Sequence, residues 1–171
     1  MSDSPMMREQ RIELVDGDAA VWCARFERAR AQILRVIPHA DVEHIGSTAV
    51  PGLPAKDVVD VLVGVRAGEI PDAALALGRS GFVKEGQRGD HAWLCSPSVA
   101  GREVFVHVMV EGSAAWQRRI QFRDLLRADE GARNRYLAAK LHARDTTDSW
   151  RDYTAAKWDT VRELLEEDRR G

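Results

Sequence analysis

The clearest chemical signal in the sequence is a small-residue turn followed by an acid in an apolar strand, both within the segment 44–65, HIGSTAVPGLPAKDVVDVLVGV. Gly46, Ser47 and Thr48 follow a β-prone stretch. Such a turn presents backbone N–H groups and a hydroxyl to phosphate oxygens at close range, so we predict an anion site there. Asp60 lies in an otherwise apolar run, where a carboxylate must be paired, hydrogen-bonded or metal-bound. Asp60 is therefore either a functional acid or a satisfied structural one.

Histidines form the second group of candidates. His107 interrupts alternating valines in a predicted strand that should pair near Asp60. It is either a core histidine with a polar partner or a site residue that faces Asp60. His44 resembles His107 but lies at a strand end beside the turn, whereas His91 and His142 are interpreted as surface residues.

Basic side chains could supply the charge that a phosphate ligand needs. Lys56 precedes the acidic strand and could reach a phosphate in the turn. Arg119, Arg123 and Arg127 recur at every fourth residue and share one helix face. This stripe is a solvated face, a structural salt bridge to the sheet or an anion clamp.

Two Tyr-x-x-x-Lys pairs, Tyr136 with Lys140 and Tyr153 with Lys157, add further cations. In each pair the lysine lies one turn beyond the tyrosine on the same helix face. Both pairs are candidates for lining a cleft that faces the sheet.

The elements that must position these residues follow from hydrophobic periodicity. Strands occupy the first two thirds of the chain and helices the ends, which predicts one α+β domain over 1–171 with a C-terminal helical layer. Residues 1–12 are expected to be flexible, and Asp148 marks the start of the last helix. The predicted helices span 18–37, 69–80, 113–127, 130–143 and 148–167, the buried strands span 58–65 and 103–110, and FVKEG and HAWLCS flank a hairpin loop, GQRGD.

Composition excludes several classes of protein. With 171 residues, 44% of them hydrophobic and 30% charged, the chain matches an ordinary globular domain rather than a disordered or fibrous one. The formal charge of −2 makes a nucleic-acid partner unlikely, because no overall basic field exists. Cys23 and Cys95 lack disulfide or zinc spacing, and no segment has the length of a membrane helix or a signal peptide. We expect a cytoplasmic protein without a membrane partner.

The motifs together resemble the GrpB family over nearly the whole chain. The resemblance rests on HIGSTAVPGLPAKDVVDVLV, FVHVMVEGS, FRDLLR and the two Tyr-x-x-x-Lys pairs. It implies the nucleotidyltransferase superfold, with a mixed β-sheet and flanking helices. Active members of that superfold hold two Mg²⁺ with an Asp-x-Asp pair and a third acid. Asp60 matches the first acid, but Leu62 occupies the second position and His107 lies where the third is expected. Because the resemblance places both strands in one sheet, we predict that Asp60 and His107 face one cavity.

The resemblance implies a nucleoside triphosphate or another phosphorylated small molecule as partner, with Mg²⁺ on Asp60 and possible nucleotidyl transfer to an acceptor. Leu62 favours an alternative, a non-catalytic phosphate-binding or accessory domain that has lost the metal triad. An aspartate at Leu62 is expected to be tolerated at the edge of the cleft. The expected catalytic residues are Asp60 and His107, and the expected phosphate-binding residues are Gly46, Ser47, Thr48, Lys56, Arg123, Lys140 and Lys157.

Overall fold

The computed structural model describes residues 13–147 and 150–170, which form a five-stranded mixed sheet and five α-helices. The predicted flexible segment 1–12 and the predicted helix start at Asp148 lie outside the described residues. In chain order the elements are α1 (Ala19–Val36), β1 (Asp41–Ile45), β2 (Val59–Val65), α2 (Ile70–Arg79), β3 (Val83–Arg88), β4 (His91–Ser96), β5 (Val104–Val110), α3 (Ala114–Ala128), α4 (Glu130–Thr146) and α5 (Trp150–Asp168).

The sheet has the strand order β1-β2-β5-β4-β3. The central pair, β2 and β5, is parallel, and Leu62 lies opposite His107 in its register. All the other neighbouring strands are antiparallel. Because side chains alternate between the two faces of a strand, Asp60 and His107 point to the same face of the sheet.

One face of the sheet packs against α1 and α2 and forms the main core. Alternate residues of β2, including Val59, Val61 and Val63, are fully buried there. The matching side chains of α1, such as Trp22 and Ile33, recur with helical spacing on the face turned toward the sheet. The Asp18 carboxylate caps α1 by accepting a hydrogen bond from the backbone N–H of Ala20 at 2.8 Å.

The opposite face of the sheet is covered by the C-terminal helices. Leu62 is fully buried there with Ile45 and Met109, against Trp116 of α3. A second cluster joins the residues after the turn to α3, α4 and α5, with Leu126 buried at its centre. Between these two clusters the sheet and the helices enclose a cleft, and Asp60 and His107 line it.

The hairpin is longer than predicted. Three residues of the expected loop, 86–88, continue β3, and only Gly89 and Asp90 separate β3 from β4. Gly86 allows this extension because a Cβ atom there would lie 2.5 Å from the indole of Trp93, and the strand pairing shifts at the same point. Gly89 supplies the positive φ of 55° that a two-residue connection needs. Within the described part of the chain no helix is both long and apolar enough to cross a membrane.

Candidate functional site

The turn predicted to bind anions starts where β1 ends, directly opposite Asp60 in the β1–β2 register. Gly46 has a φ of 74°, and Ser47 to Ala49 form one turn of 3-10 helix. A Cβ atom on Gly46 would lie 2.5 Å from the Oδ2 atom of Asp60. Glycine is therefore required here both for the backbone conformation and for the close approach of the carboxylate.

Asp60, His107 and His91 form a chain of polar contacts across β2, β5 and β4. His107 Nε2 lies 3.6 Å from Asp60 Oδ1, as expected from the two strands. His107 Nδ1 lies 3.0 Å from His91 Nε2. A neutral His107 that turns its Nε2–H toward Asp60 must accept a hydrogen bond at Nδ1, so His91 then donates from Nε2. The contact with His91 thereby orients the ring that faces Asp60.

The interpretation of His91 as a surface residue was wrong. Burial, reinforced by His107 and Arg119, lowers its pKa to about 4, so His91 is neutral at physiological pH. The signal for its position was the alternation in β4. Ala92 and Leu94 belong to the core, so His91 must point to the face that carries His107.

His44 faces the turn from β1. Its Nε2 atom lies 2.9 Å from the hydroxyl of Thr48, and its ring stacks on Phe26 with the centroids 4.8 Å apart. Burial lowers its pKa to about 4 against an opposing effect of Asp60. A neutral His44 therefore holds Thr48 in place, and Thr48 itself is only 5% exposed.

Lys140 of α4 connects the helical layer to the turn. Its ammonium group donates to the hydroxyl of Ser47 at 2.9 Å and to the backbone carbonyl of Pro54. The side chain is almost completely buried, and burial together with the charge of Lys157 lowers its pKa to about 7. Both of these hydrogen-bond acceptors are neutral.

Lys56 and Lys157 meet at the ring of Tyr153. Their Nζ atoms lie 4.5 and 4.2 Å from its centroid, within cation–π distance. Burial is the largest cause that lowers the pKa of Lys56 to about 6, followed by the charge of Lys157. Burial lowers the pKa of Lys157 to about 8. The Tyr-x-x-x-Lys pairs thus line the cleft, as predicted.

The three stripe arginines reach different partners. Arg123 donates to Glu43 and, at 3.2 Å, to the carbonyl of His44, so it ties α3 to β1. Arg127 donates from Nε to the carbonyl of Ala49 at 2.9 Å. Arg119 donates to the carbonyl of Ala115 in its own helix, and its burial lowers its pKa. These contacts favour a structural role for Arg123, although Arg123 also lines the cleft.

The cleft has two parts that share Asp60, His107, Ser47 and Lys157. One part is framed by apolar side chains of α3 and α5 and by Arg119. The other part contains Lys56, Lys140, Tyr153 and Arg102. Of these four residues, sequence reasoning missed Arg102. Arg102 is paired with Glu85, to which its Nε donates at 2.7 Å. Asp60 is the one carboxylate among the residues described as lining either part.

These residues do not fit the two-magnesium site that the superfold implies. In the described ranges there is no group of three or more His, Cys, Asp or Glu side chains able to hold a metal ion. Asp57 is engaged elsewhere, accepting from Trp22 and from Arg25 at 2.9 Å each. The expectation that Leu62→Asp would be tolerated at the cleft edge was wrong, because Leu62 is fully buried among apolar side chains.

Comparison with known proteins supports the family assignment. The profile described as GrpB protein matches residues 11–167. A UPF0157 protein of Deinococcus radiodurans is 42% identical over 155 residues, covering 91% of this chain and 81% of that protein. The crystal structure of the conserved protein GrpB from Enterococcus faecalis is 25% identical with a TM-score of 0.75, covering 91% of this chain and 98% of that one.

The nucleotidyltransferase-like architecture is also found. The Cid1 poly(U) polymerase, solved with MgGTP bound, has a TM-score of 0.55 at 16% identity, covering 79% of this chain and 44% of that one. At this identity the likeness concerns the fold alone. With the profile matching most of the chain and a relative at 42% identity, the protein belongs to the GrpB family.

Proposed function

We propose that the protein binds the phosphate chain of a nucleoside triphosphate, or of another phosphorylated small molecule, in the cleft between the sheet and the C-terminal helices. The observation that carries this proposal is the buried ammonium group of Lys140 on the hydroxyl of Ser47. It brings a cation from α4 to the very turn whose small residues suit phosphate oxygens. Lys157 and Lys56 extend the same positive surface.

The apolar part of the cleft suits the rest of such a ligand. Phe122, Val161 and Trp158 line it beside Arg119. Trp158 is about half exposed, so its ring is accessible to a planar group. A nucleotide would place its phosphates toward the lysines and its base toward these side chains.

Nucleotidyl transfer is a second candidate, favoured by the contact between Asp60 and His107. In this reaction an acceptor oxygen forms a bond to the α-phosphorus, and the bond from that phosphorus to pyrophosphate breaks. The proton of the acceptor hydroxyl must pass to a base. His107 can take it in the tautomer that donates from Nδ1 to His91 and leaves Nε2 unprotonated. Mg²⁺ on Asp60 stays a proposal taken from the family resemblance.

Binding is tested by calorimetric titration of the wild type with ATP, GTP, CTP, UTP and pyrophosphate, each with and without Mg²⁺. Ser47→Ala removes one hydroxyl from the turn and should weaken binding about three- to tenfold. The matched control is Ser98→Ala, since Ser98 is exposed and bonds only the local backbone N–H of Gly101. No binding of any phosphate compound at millimolar concentration would refute the proposal.

Catalysis is tested by pyrophosphate release from nucleoside triphosphates. For an enzyme, Asp60→Ala should abolish release, whereas Asp90→Ala, in the exposed hairpin turn, should leave it unchanged. For a binding protein the wild type should release no pyrophosphate while still binding nucleotide. Turnover that survives Asp60→Ala would exclude the assigned role of this acid.

A further inference from the structure

The donor chemistry of the cleft is suited to an anion rather than to a divalent cation. Mg²⁺ requires octahedral oxygen ligands, and carboxylates are the protein groups that best supply them. The described lining of the cleft offers one carboxylate, Asp60. The charge of Asp60 raises the pKa of Lys56, Lys140 and Lys157, and a dication placed at Asp60 would compete with the positive charge of these lysines.

For Lys140 and Lys157 the described lining of the cleft supplies one carboxylate, Asp60. Lys140 is 2% exposed, yet its hydrogen bonds go to a hydroxyl and a carbonyl, both neutral. Lys157 lies close to the ring of Tyr153, and the charge of Asp60 acts on both Lys157 and Lys140. Burying ammonium groups without matching carboxylates is costly unless an anion joins them.

A buried polar atom at the same place points to the same conclusion. Tyr153 is fully buried and lines this part of the cleft between Lys56 and Lys157. Its hydroxyl has no hydrogen-bond partner among the residues that the structure describes. Buried polar atoms in native proteins are nearly always satisfied.

We propose that Lys56, Lys140 and Lys157 bind the polyphosphate chain of the ligand directly, in place of the divalent ions that the superfold implies. This inference rests on the proposed function and specifies how the ligand is held. The ligand class is a compound with a di- or triphosphate chain that binds without a metal ion. Lys140 and Lys157, in their protonated state, outnumber the one carboxylate among the described lining residues, and a chain of this kind neutralises the excess positive charge.

Asp60 favours ligand binding if Mg²⁺ bridges the ligand to the protein and opposes it if the lysines bind the phosphates directly. A substitution of Asp60 therefore distinguishes the two mechanisms. If Mg²⁺ bridges the ligand to the protein, Asp60→Asn removes the metal ligand and weakens binding. If the lysines bind the phosphates directly, Asp60 repels the ligand and competes for the lysines. Asp60→Asn then strengthens binding in the absence of metal, by about fivefold for a partly screened charge.

The experiment titrates wild type and Asp60→Asn with inorganic tripolyphosphate by calorimetry, in EDTA and in excess MgCl₂. We expect binding in EDTA, no strengthening by Mg²⁺ and tighter binding by Asp60→Asn. Binding that requires Mg²⁺ and is lost in Asp60→Asn would overturn the inference and leave the proposed function standing. Absence of binding for every phosphate compound under both conditions would instead refute the proposed function, and this inference with it.

Lysine variants test the same proposal by removing a positive charge instead of a negative one. Lys157→Met keeps most of the length of the side chain while removing the charge, and it should weaken binding in EDTA about tenfold. The control is Lys84→Met, since Lys84 is exposed and bonds only Gln87. Equal affinities for the two lysine variants would contradict the proposal. Asp60→Asn supplies the answer independently if Lys157→Met does not fold.

Discussion

Gly46 shapes the turn in two ways, through its backbone conformation and through the close approach of the Asp60 carboxylate. Its positive φ is shared with Gly52, but their surroundings differ. A Cβ atom on Gly46 would meet Asp60 Oδ2 at 2.5 Å, whereas one on Gly52 would meet nothing within 4 Å. The sequence predicted a small-residue turn for phosphate, and the structure adds a steric reason that concerns the acid.

This difference gives a matched pair of variants. Gly46→Ala should lower the free energy of unfolding by about 1–2 kcal/mol more than Gly52→Ala, because backbone strain is common to both and only Gly46 displaces Asp60. Urea denaturation of the two variants measures the difference. Gly46→Ala should also weaken phosphate binding, while Gly52→Ala should not. Equal costs in both measurements would show that the contact with Asp60 is unimportant.

The candidate site was predictable where the residue type itself was unusual for its position. Asp60 and His107 interrupt apolar strands, and the family resemblance placed both strands in one sheet, so their shared face was predicted from the two together. The position of His91 was missed because His91 begins a strand. The neighbour of that strand is known only once the strand order of the sheet is known. The contact of Tyr153 with Lys56 was also beyond the sequence, since it joins a loop to a helix nearly a hundred residues away.

Among the elements, α3 and β1 are joined by an ion pair that decides between the interpretations of the arginine stripe. The side chain of Arg123 is 10% exposed and that of Glu43 is 35% exposed. Partly buried, charge-assisted hydrogen bonds of this kind stabilise more than surface pairs do. Arg162 and Asp159 on α5 provide a highly exposed comparison.

A double-mutant cycle on Arg123→Ala and Glu43→Ala should give a coupling of about 1–2 kcal/mol in the free energy of unfolding. The cycle on Arg162→Ala and Asp159→Ala should give about 0.5 kcal/mol or less. Urea denaturation of the four chains of each cycle supplies both values. If Arg123 is instead an anion clamp, the first coupling falls to the surface value and Arg123→Ala weakens phosphate binding while Glu43→Gln strengthens it.

Element boundaries followed from the sequence more closely than element connections did. The apolar steps of α1 and the alternating valines of β2 and β5 predicted these elements to within one residue at each end. The hairpin was predicted with too long a loop, because Gly86 was taken as a turn residue when it serves to admit Trp93. The parallel pairing of β2 with β5 depends on a crossover that local periodicity does not encode.

At the scale of the whole molecule, the buried cations and histidines make stability depend on pH. The lysines at the cleft have pKa values of about 6, 7 and 8 in the fold, below their ordinary 10.5. His44 and His91 have values near 4, below 6.5. The unfolded chain therefore binds more protons than the fold from about pH 4 upward, so the free energy of unfolding rises with pH.

We expect the urea midpoint to rise from pH 5 to pH 8.5, first through the histidines and above pH 6.5 through the lysines alone. The double variant Lys140→Met/Lys157→Met should keep the first rise and lose part of the second, because Lys56 still contributes the remainder. Phosphate binding should show the opposite trend and weaken as the pH rises, because the lysines of the ligand-free protein lose their charge. A midpoint that falls above pH 6.5 would contradict the assigned pKa directions.

The concentration of cations in one cleft has a consequence for the length of the anion that can bind. The whole chain carries a formal charge of −2, so the surface outside the cleft has an excess of acidic side chains. Within about 8 Å at physiological ionic strength, a charge responds to its near neighbours rather than to the whole molecule. A compact ligand the size of a mononucleotide is covered by the attractive region alone. We therefore expect a long polyanion to gain less from each further charge than a compact ligand does, because its ends extend beyond the cationic cleft.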